Sequence, residues 1–180
     1  PAKIRTEEPE LEKWINPYIG AEEFINKKER WCLWLVHASP TDIRQSKILR
    51  DKVAAVKEFR TASRAKTTNQ YAKTPSLFAQ ITQPEGEDYI LIPSVSSERR
   101  KYIPMGFLKS DIISSNAAMI MPGATIYHFG ILTSTMHNAW MRTVCGRLES
   151  RYRYSASIVY NNFPWPEPSD TQRKAIETAA

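Results

Sequence analysis

Arginine and tyrosine crowd into one stretch of the chain, Trp140 to Pro166, WMRTVCGRLESRYRYSASIVYNNFPWP. Arg142, Arg147, Arg151 and Arg153 lie close to Tyr152, Tyr154 and Tyr160, one acid, Glu149, precedes Arg151 by two residues, and lysine is absent. A surface that only had to be soluble rarely has this composition, whereas planar guanidinium groups suit the bidentate acceptors of phosphates and base edges. The stretch therefore points to recognition of a polyanion. If Arg147 to Tyr154 is extended, its side chains alternate: Arg147, Glu149, Arg151 and Arg153 share one face, and Leu148, Ser150, Tyr152 and Tyr154 take the other. Arginine can bridge the two acceptors on guanine's major-groove edge and glutamate can accept from the cytosine amino group, each good bidentate contact discriminating by about 1–3 kcal/mol. Glu149 and Arg151 together are thus matched to one C·G pair. Alternatively, Glu149 holds Arg151 in a fixed rotamer through an exposed ion pair that stabilises by less than about 1 kcal/mol.

Two further basic clusters could support such a reader. Ser94 to Lys101, SVSSERRK, connects two expected strands, and Ser96, Ser97, Arg99, Arg100 and Lys101 offer hydroxyl and cationic contacts to phosphate; the plainer reading is a charged hairpin tip. Upstream, Ser39-Pro40-Thr41-Asp42 signals a helix start, with Thr41 or Asp42 as the cap, and the helix is expected to run to about Lys66. Leu49, Val53, Val56 and Phe59 recur on it at helical spacing and should face a core. Its other side carries Arg44, Lys47, Arg50, Lys52, Lys57, Arg60, Arg64 and Lys66 against Asp51 and Glu58. Lys57, Arg60 and Arg64 are candidates for secondary contacts to a nucleic-acid backbone, and a solvated helix face is the alternative.

These segments must be positioned by the rest of a 180-residue chain, enough for one domain with its own core. The net charge of +6 favours an anionic partner, and 42% hydrophobic against 24% charged residues is ordinary for a soluble globular protein. Cys32 and Cys145, each in apolar sequence, read as buried free thiols of a reducing compartment, with a disulfide as second choice. No run approaches the roughly 18 apolar residues of a membrane span, and no signal peptide is recognisable. The sequence begins at Pro1 without a methionine, as expected of a piece of a longer protein or of a processed start.

Catalytic machinery is not visible in the sequence. It shows no glycine-rich phosphate loop, no paired-cysteine metal spacing, no nucleophile elbow and no pair of carboxylates suited to acid and base roles. His128 and His137, nine residues apart with no Cys or Asp cluster nearby, are read as packed or rim histidines. Asn16-Pro17-Tyr18 looks superficially like the Asn-Pro-Pro-aromatic loop with which amino-methyltransferases hold a flipped base, but it lacks the second proline and follows no strand, so it is read as a turn.

Residues 1–13 are charged and expected to form a lead-in or short helix, and a short helix is expected over Ala21 to Lys27. Strands are expected at Trp31 to Val36, Asp88 to Pro93, Lys101 to Phe107, Ala117 to Met121 and Ser157 to Tyr160. A helix is expected from Thr125 to Cys145, ended by Gly146, and a closing helix after the Ser169-Asp170 cap. The expected architecture is α+β: a small mixed or antiparallel sheet packed by the helices at Asp42 to Lys66 and Thr125 to Cys145. The domain should span residues 14–168, with 169–180 the start of a truncated C-terminal helix.

The long run ASNAAMIMPGATIYHFGILTSTMHNAWMRTVCGRLESRYRYSASIVYNNFPWPEP, with PSVSSERRKYIPMGFL and KWINPYIGAEEFI, resembles the target-recognition region of MmeI-like DNA methyltransferases. The ending, FPWPEPSDTQRKAIE, is similar to the passage that closes recognition domains in type I specificity subunits. The resemblance implies a parent restriction-modification protein that uses S-adenosylmethionine to methylate the amino group of adenine in duplex DNA, in a prokaryotic cytoplasm, with this segment supplying sequence choice and no catalysis. It implies that the variable positions of GRLxSxY, here Glu149 and Arg151, choose between C·G and G·C, Lys and Asp being the opposite combination. Phosphate contacts are then expected from Arg99, Arg100, Lys101, Arg147 and Arg153, and partners are duplex DNA and the parent's methyltransferase domain. Two other classes stay open: a protein-interaction module docking through Tyr160, Phe163 and Trp165, and an RNA-binding module whose tyrosines stack on unpaired bases.

Overall fold

Serine caps set the starts of several of this chain's helices. The computed structural model describes residues 2–180. Helix α1 (Ala2–Glu7) and a 3-10 turn at Pro9–Trp14 lead into strand β1 (Ile15–Ile19), helix α2 (Ala21–Asn26) and strand β2 (Trp31–Leu33). The long helix expected from Asp42 is instead three: α3 (Pro40–Gln45), α4 (Lys47–Ala62) and α5 (Lys66–Gln70). Ser39, rather than Thr41 or Asp42, is the first cap; its Oγ accepts from the Asp42 amide at 3.1 Å while the Asp42 carboxylate accepts from the Ser39 amide at 2.9 Å. Ser46 then ends α3 in an extended conformation and caps α4 by accepting from the Leu49 amide at 3.0 Å. A cap needs β-region backbone, so the helix breaks there although the apolar period runs on.

The chain divides into two units, the first holding the residues up to Pro17 together with Trp31–Thr82. In it, β1 pairs antiparallel with β2 through Ile15↔Leu33, Asn16↔Cys32 and Pro17↔Trp31, so the Asn16-Pro17 segment is strand rather than turn. Pro17, which has no N–H to give a ladder, is the last residue of β1 paired to β2. β2 is shorter than the Trp31 to Val36 run suggested because Leu35 leaves the ladder to join Leu11 and Leu49 in the core. The lead-in is therefore built into this unit: Leu11 is buried, and Glu8 accepts from the Ile48 amide at 2.9 Å. Of the α4 apolar stripe only Leu49 is fully buried, and Phe59 at the far end is 72% exposed.

The second unit holds Tyr18–Arg30 and Gln83–Ala180. Strand β3 (Tyr89–Pro93) is buried along its whole length and lies between β5 (Gly106–Leu108) and β7 (Ala118–Pro122), antiparallel to both; β4 (Val95–Ser96) follows β3 directly, and β6 (Ile113–Ser114) pairs parallel with Tyr18 and Ile19. The expected strand from Lys101 shrinks to β5 because Ile103 and Met105 turn into the core, the Ile103 amide donating to Asn138 Oδ1 at 3.0 Å. The helix expected from Thr125 to Cys145 is α6 (Ile126–Thr133) and α7 (Thr135–Val144), divided at Ser134, which caps α7 by accepting from the His137 amide at 3.1 Å.

Strands β8 (Gly146–Leu148) and β9 (Arg151–Arg153) follow, then a π-helical turn at Ala156–Tyr160 where a strand was expected, and helix α8 (Asp170–Ala179). The turn replaces the strand because Val159 is sunk completely in the core and its carbonyl takes the Trp140 indole N–H at 3.0 Å, not a ladder bond. α8 begins at the expected Ser169 cap and packs on α6 at Gly130, where a Cβ would meet Ile176 at 2.9 Å. The core gathers Ile90, Ile92, Ile103, Met105, Leu132, Met141, Tyr152, Tyr154 and Val159. The α+β expectation stands, with short three-stranded sheets in place of a single larger one.

Candidate nucleic-acid interface

The arginine-rich stretch folds back on itself. β8 and β9 form an antiparallel hairpin with register Gly146↔Arg153, Arg147↔Tyr152 and Leu148↔Arg151, closed by the two residues Glu149 and Ser150. β4 pairs with the other edge of β9 through Val95↔Arg153 and Ser96↔Tyr152, giving the strand order β4-β9-β8. Residues directly opposite across a ladder share a face. One face therefore carries Leu148, Arg151, Gly146, Arg153 and Val95, and the other carries Arg147, Tyr152 and Ser96.

That register corrects the expectation of a single ionic face. Arg151 and Arg153 do share one face, and both are exposed. Arg147 lies on the opposite face because the two-residue turn shifts the alternation between the strands. Tyr152 and Tyr154 point away from Arg151 and Arg153 as expected and are buried, at 9% and 2% exposure. Tyr154 is seated by a hydrogen bond between its hydroxyl and His137 Nε2 at 2.9 Å. Burial pushes the His137 imidazole down to about 4 and the Tyr154 phenol up, so both are neutral at physiological pH.

At the tip, Glu149 adopts φ 57, in the left-handed region that a non-glycine residue occupies at a cost of about 1–2 kcal/mol. Its carboxylate accepts from Arg151 Nη2 at 2.8 Å, with both side chains largely exposed. The two residues singled out by chemistry are thus one ion pair at the apex of a hairpin. Gly146 has no positive φ, and a Cβ placed on it would meet nothing within 4 Å, so its contribution is to leave the place opposite Arg153 uncovered.

The second basic cluster lies on the same sheet. β4 ends at Ser96, and Ser97 to Lys101 turn away from it beside the hairpin. Arg99, Arg100 and Lys101 are exposed; Arg99 makes a loose ion pair with Glu98, at 3.9 Å, and Lys101 Nζ lies 5.3 Å from the Tyr102 ring centroid. Ser96, by contrast, is 3% exposed, which removes its hydroxyl from any contact with phosphate. Arg142 on α7 donates to the carbonyls of Arg100 and Lys101 and so fixes the loop. Two clusters about fifty residues apart in sequence are brought together because β4 pairs with β9, a long-range pairing that no local pattern reveals.

The third group sits in the other unit. Arg60 is spent on its own backbone: its guanidinium donates to the carbonyls of Tyr71, Thr74 and Leu77 at 3.0, 3.0 and 2.8 Å, tying the segment after α5 to α4. Lys57 and Arg64 are exposed on or just beyond α4. Cys32 and Cys145 are half-buried, rather than fully buried. Phe163 is buried between Tyr127 and Ile131, while Tyr160 and Trp165 are partly covered and pack edge to face at 5.2 Å. Among the described residues no group of three His, Cys, Asp or Glu side chains is placed to hold a metal ion, and no helix is long and apolar enough to cross a membrane.

A paired acid and arginine at the tip of a solvent-facing hairpin, flanked by cations and mounted on a helix-packed core, define a recognition module. The comparisons with known proteins agree. The family model described as MmeI, target recognition domain, matches residues 2–167, and the chain belongs to that family. It is 43% identical over 171 residues to DNA methyltransferase A of Bacillus subtilis (strain 168), an alignment covering 95% of this chain and 19% of the relative. Among solved structures, it matches the type IIL restriction-modification enzyme MmeI in complex with DNA at 52% identity with a TM-score of 0.95, over 99% of this chain and 24% of that one. The chain thus spans about a fifth to a quarter of these relatives.

Proposed function

We propose that this chain reads the sequence of duplex DNA for a restriction-modification protein that methylates adenine, supplying specificity and no catalytic group. One observation carries the reading: the exposed Glu149–Arg151 pair, 2.8 Å apart at a hairpin tip, stands on the same small sheet as the Arg99-Arg100-Lys101 loop. A carboxylate and a guanidinium in that setting can address the two halves of one C·G pair, while neighbouring cations neutralise phosphates and fix the register. Arg99, Arg100, Lys101 and Arg153 are the phosphate contacts in this reading, and Lys57 and Arg64 supply secondary backbone contacts. Its partners are duplex DNA and the methyltransferase domain of the same parent, in a prokaryotic cytoplasm.

S-adenosylmethionine belongs to that other domain. The test is binding by the full-length protein. Affinity for duplex DNA should fall steeply and linearly on a log–log plot against salt, with a slope of about −0.9 for each phosphate neutralised. Salt-independent binding would indicate an apolar docking surface on a protein partner, and preference for single-stranded RNA in competition would indicate an RNA module. Burial of the Tyr152 and Tyr154 rings removes both as platforms on which unpaired bases could stack.

A further inference from the structure

Arg147 uses its guanidinium on the hairpin itself. Nη1 donates to the carbonyl of Ser150 at 3.0 Å, and the guanidinium carbon lies 4.1 Å from the centroid of the Tyr152 ring. Ser150 is the second residue of the turn, and Tyr152 is the directly opposed residue on β9, buried in the core. One cation therefore ties together the turn's backbone and an aromatic ring that the core already holds. The turn needs such a tie. Glu149 sits at φ 57, where a residue with a Cβ is disfavoured, and a two-residue connection without glycine, asparagine or aspartate has little intrinsic preference to close. The direction of the Glu149 carboxylate, and the place where Arg151 meets it, follow from that backbone position.

We infer that Arg147 is a positioning residue for base reading: it clamps the Glu149–Ser150 turn onto Tyr152 and thereby sets where Glu149 and Arg151 present their polar atoms, instead of contacting a phosphate. Arginine suits the task because its planar cation can lay a face on the ring while an N–H at its edge reaches the carbonyl. Lysine, a compact charge, cannot do both in fixed geometry. The inference rests on the DNA-reading proposal above and adds a role that charge alone does not imply.

The experiment uses the full-length protein with Arg147→Ala and Arg147→Lys, measuring affinity across a salt series for the cognate duplex and for duplexes altered at one base pair at a time. A clamp gives a loss of discrimination of about tenfold confined to the base pair read by Glu149 and Arg151, with the salt slope unchanged. It also gives no recovery in Arg147→Lys, although that variant keeps the charge. A phosphate contact gives the opposite: a slope shallower by about 0.9, equal weakening on every duplex, and recovery with lysine. Either that pattern, or discrimination falling equally at all base pairs as general loosening of the fold would cause, overturns the inference. Failure of the underlying reading shows elsewhere, as a recognised motif that does not change when Glu149 and Arg151 are exchanged for Lys and Asp.

Discussion

Helix α4 and the β8–β9 hairpin are both rich in cations, yet the two regions hold them differently. Along α4, Lys47 is paired with Asp51 at 2.9 Å, Arg60 is turned onto three carbonyls of its own unit, and the backbone is regular helix. On the hairpin, Arg151 and Arg153 stand out from a sheet whose opposite face sends Tyr152 into the core, and the one acid among them occupies a strained backbone position. Density of positive charge is thus a poor guide to a recognition surface. What separates the regions is whether the cation is already committed to its own backbone and whether its mount is rigid. By that measure Arg142 and Arg147 belong with Arg60, as grips on carbonyls, whereas Arg99, Arg100, Lys101, Arg151 and Arg153 in the second unit, and Lys57 and Arg64 in the first, keep their side chains exposed.

Acid should expose the difference in mounting most strongly. The His137 imidazole, which meets the Tyr154 hydroxyl beneath β9, is held at about 4, below its usual value of about 6.5. Between those values the unfolded chain takes up the proton that the folded chain refuses, so stability is complete above about pH 6.5 and is lost as pH falls towards 4, by on the order of 3 kcal/mol. Hydrogen exchange corrected for intrinsic rates should show β9 amides losing protection over that window before those of α4. Simultaneous loss in both would erase the contrast.

Next in size, Arg60→Ala should lower the stability of its unit by about 2 kcal/mol, since charged donors to three carbonyls are removed. Urea denaturation reads this, and discrimination among DNA sequences should be unaffected. A smaller effect is expected from Arg153→Ala, which should make the salt slope shallower by about 0.9 and weaken cognate and non-cognate duplexes alike. The least should come from Gly146→Ala: no positive φ and no neighbouring atom opposes a Cβ, so thermal unfolding should show a stability change within about 0.5 kcal/mol.

Much of this was legible from the residues. The β3 run Tyr89 to Pro93, the strand at β7, the Ser169 cap and the ion pair of Glu149 with Arg151 all follow from local types and spacing. The helix breaks were not, because Ser46 and Ser134 interrupt apolar periods that continue on both sides, and a serine inside a helix looks like a serine capping the next one. The hairpin turn was hidden because Glu149-Ser150 has none of the usual turn residues; a tertiary tie through Arg147 takes their place. Nothing local distinguishes an arginine that grips a carbonyl from one that faces solvent. The convergence of the Ser97 to Lys101 loop with the hairpin depends on β4 pairing with β9, which is set by the core.

The most direct test of base reading at the hairpin tip is to exchange both partners of the ion pair, Glu149→Lys with Arg151→Asp, in the full-length protein and to map methylated sites by sequencing. A motif altered at a single base pair, C·G to G·C, is the result expected from a reading pair. An unchanged motif with retained activity would contradict it and reduce the Glu149–Arg151 contact to an ordinary surface ion pair.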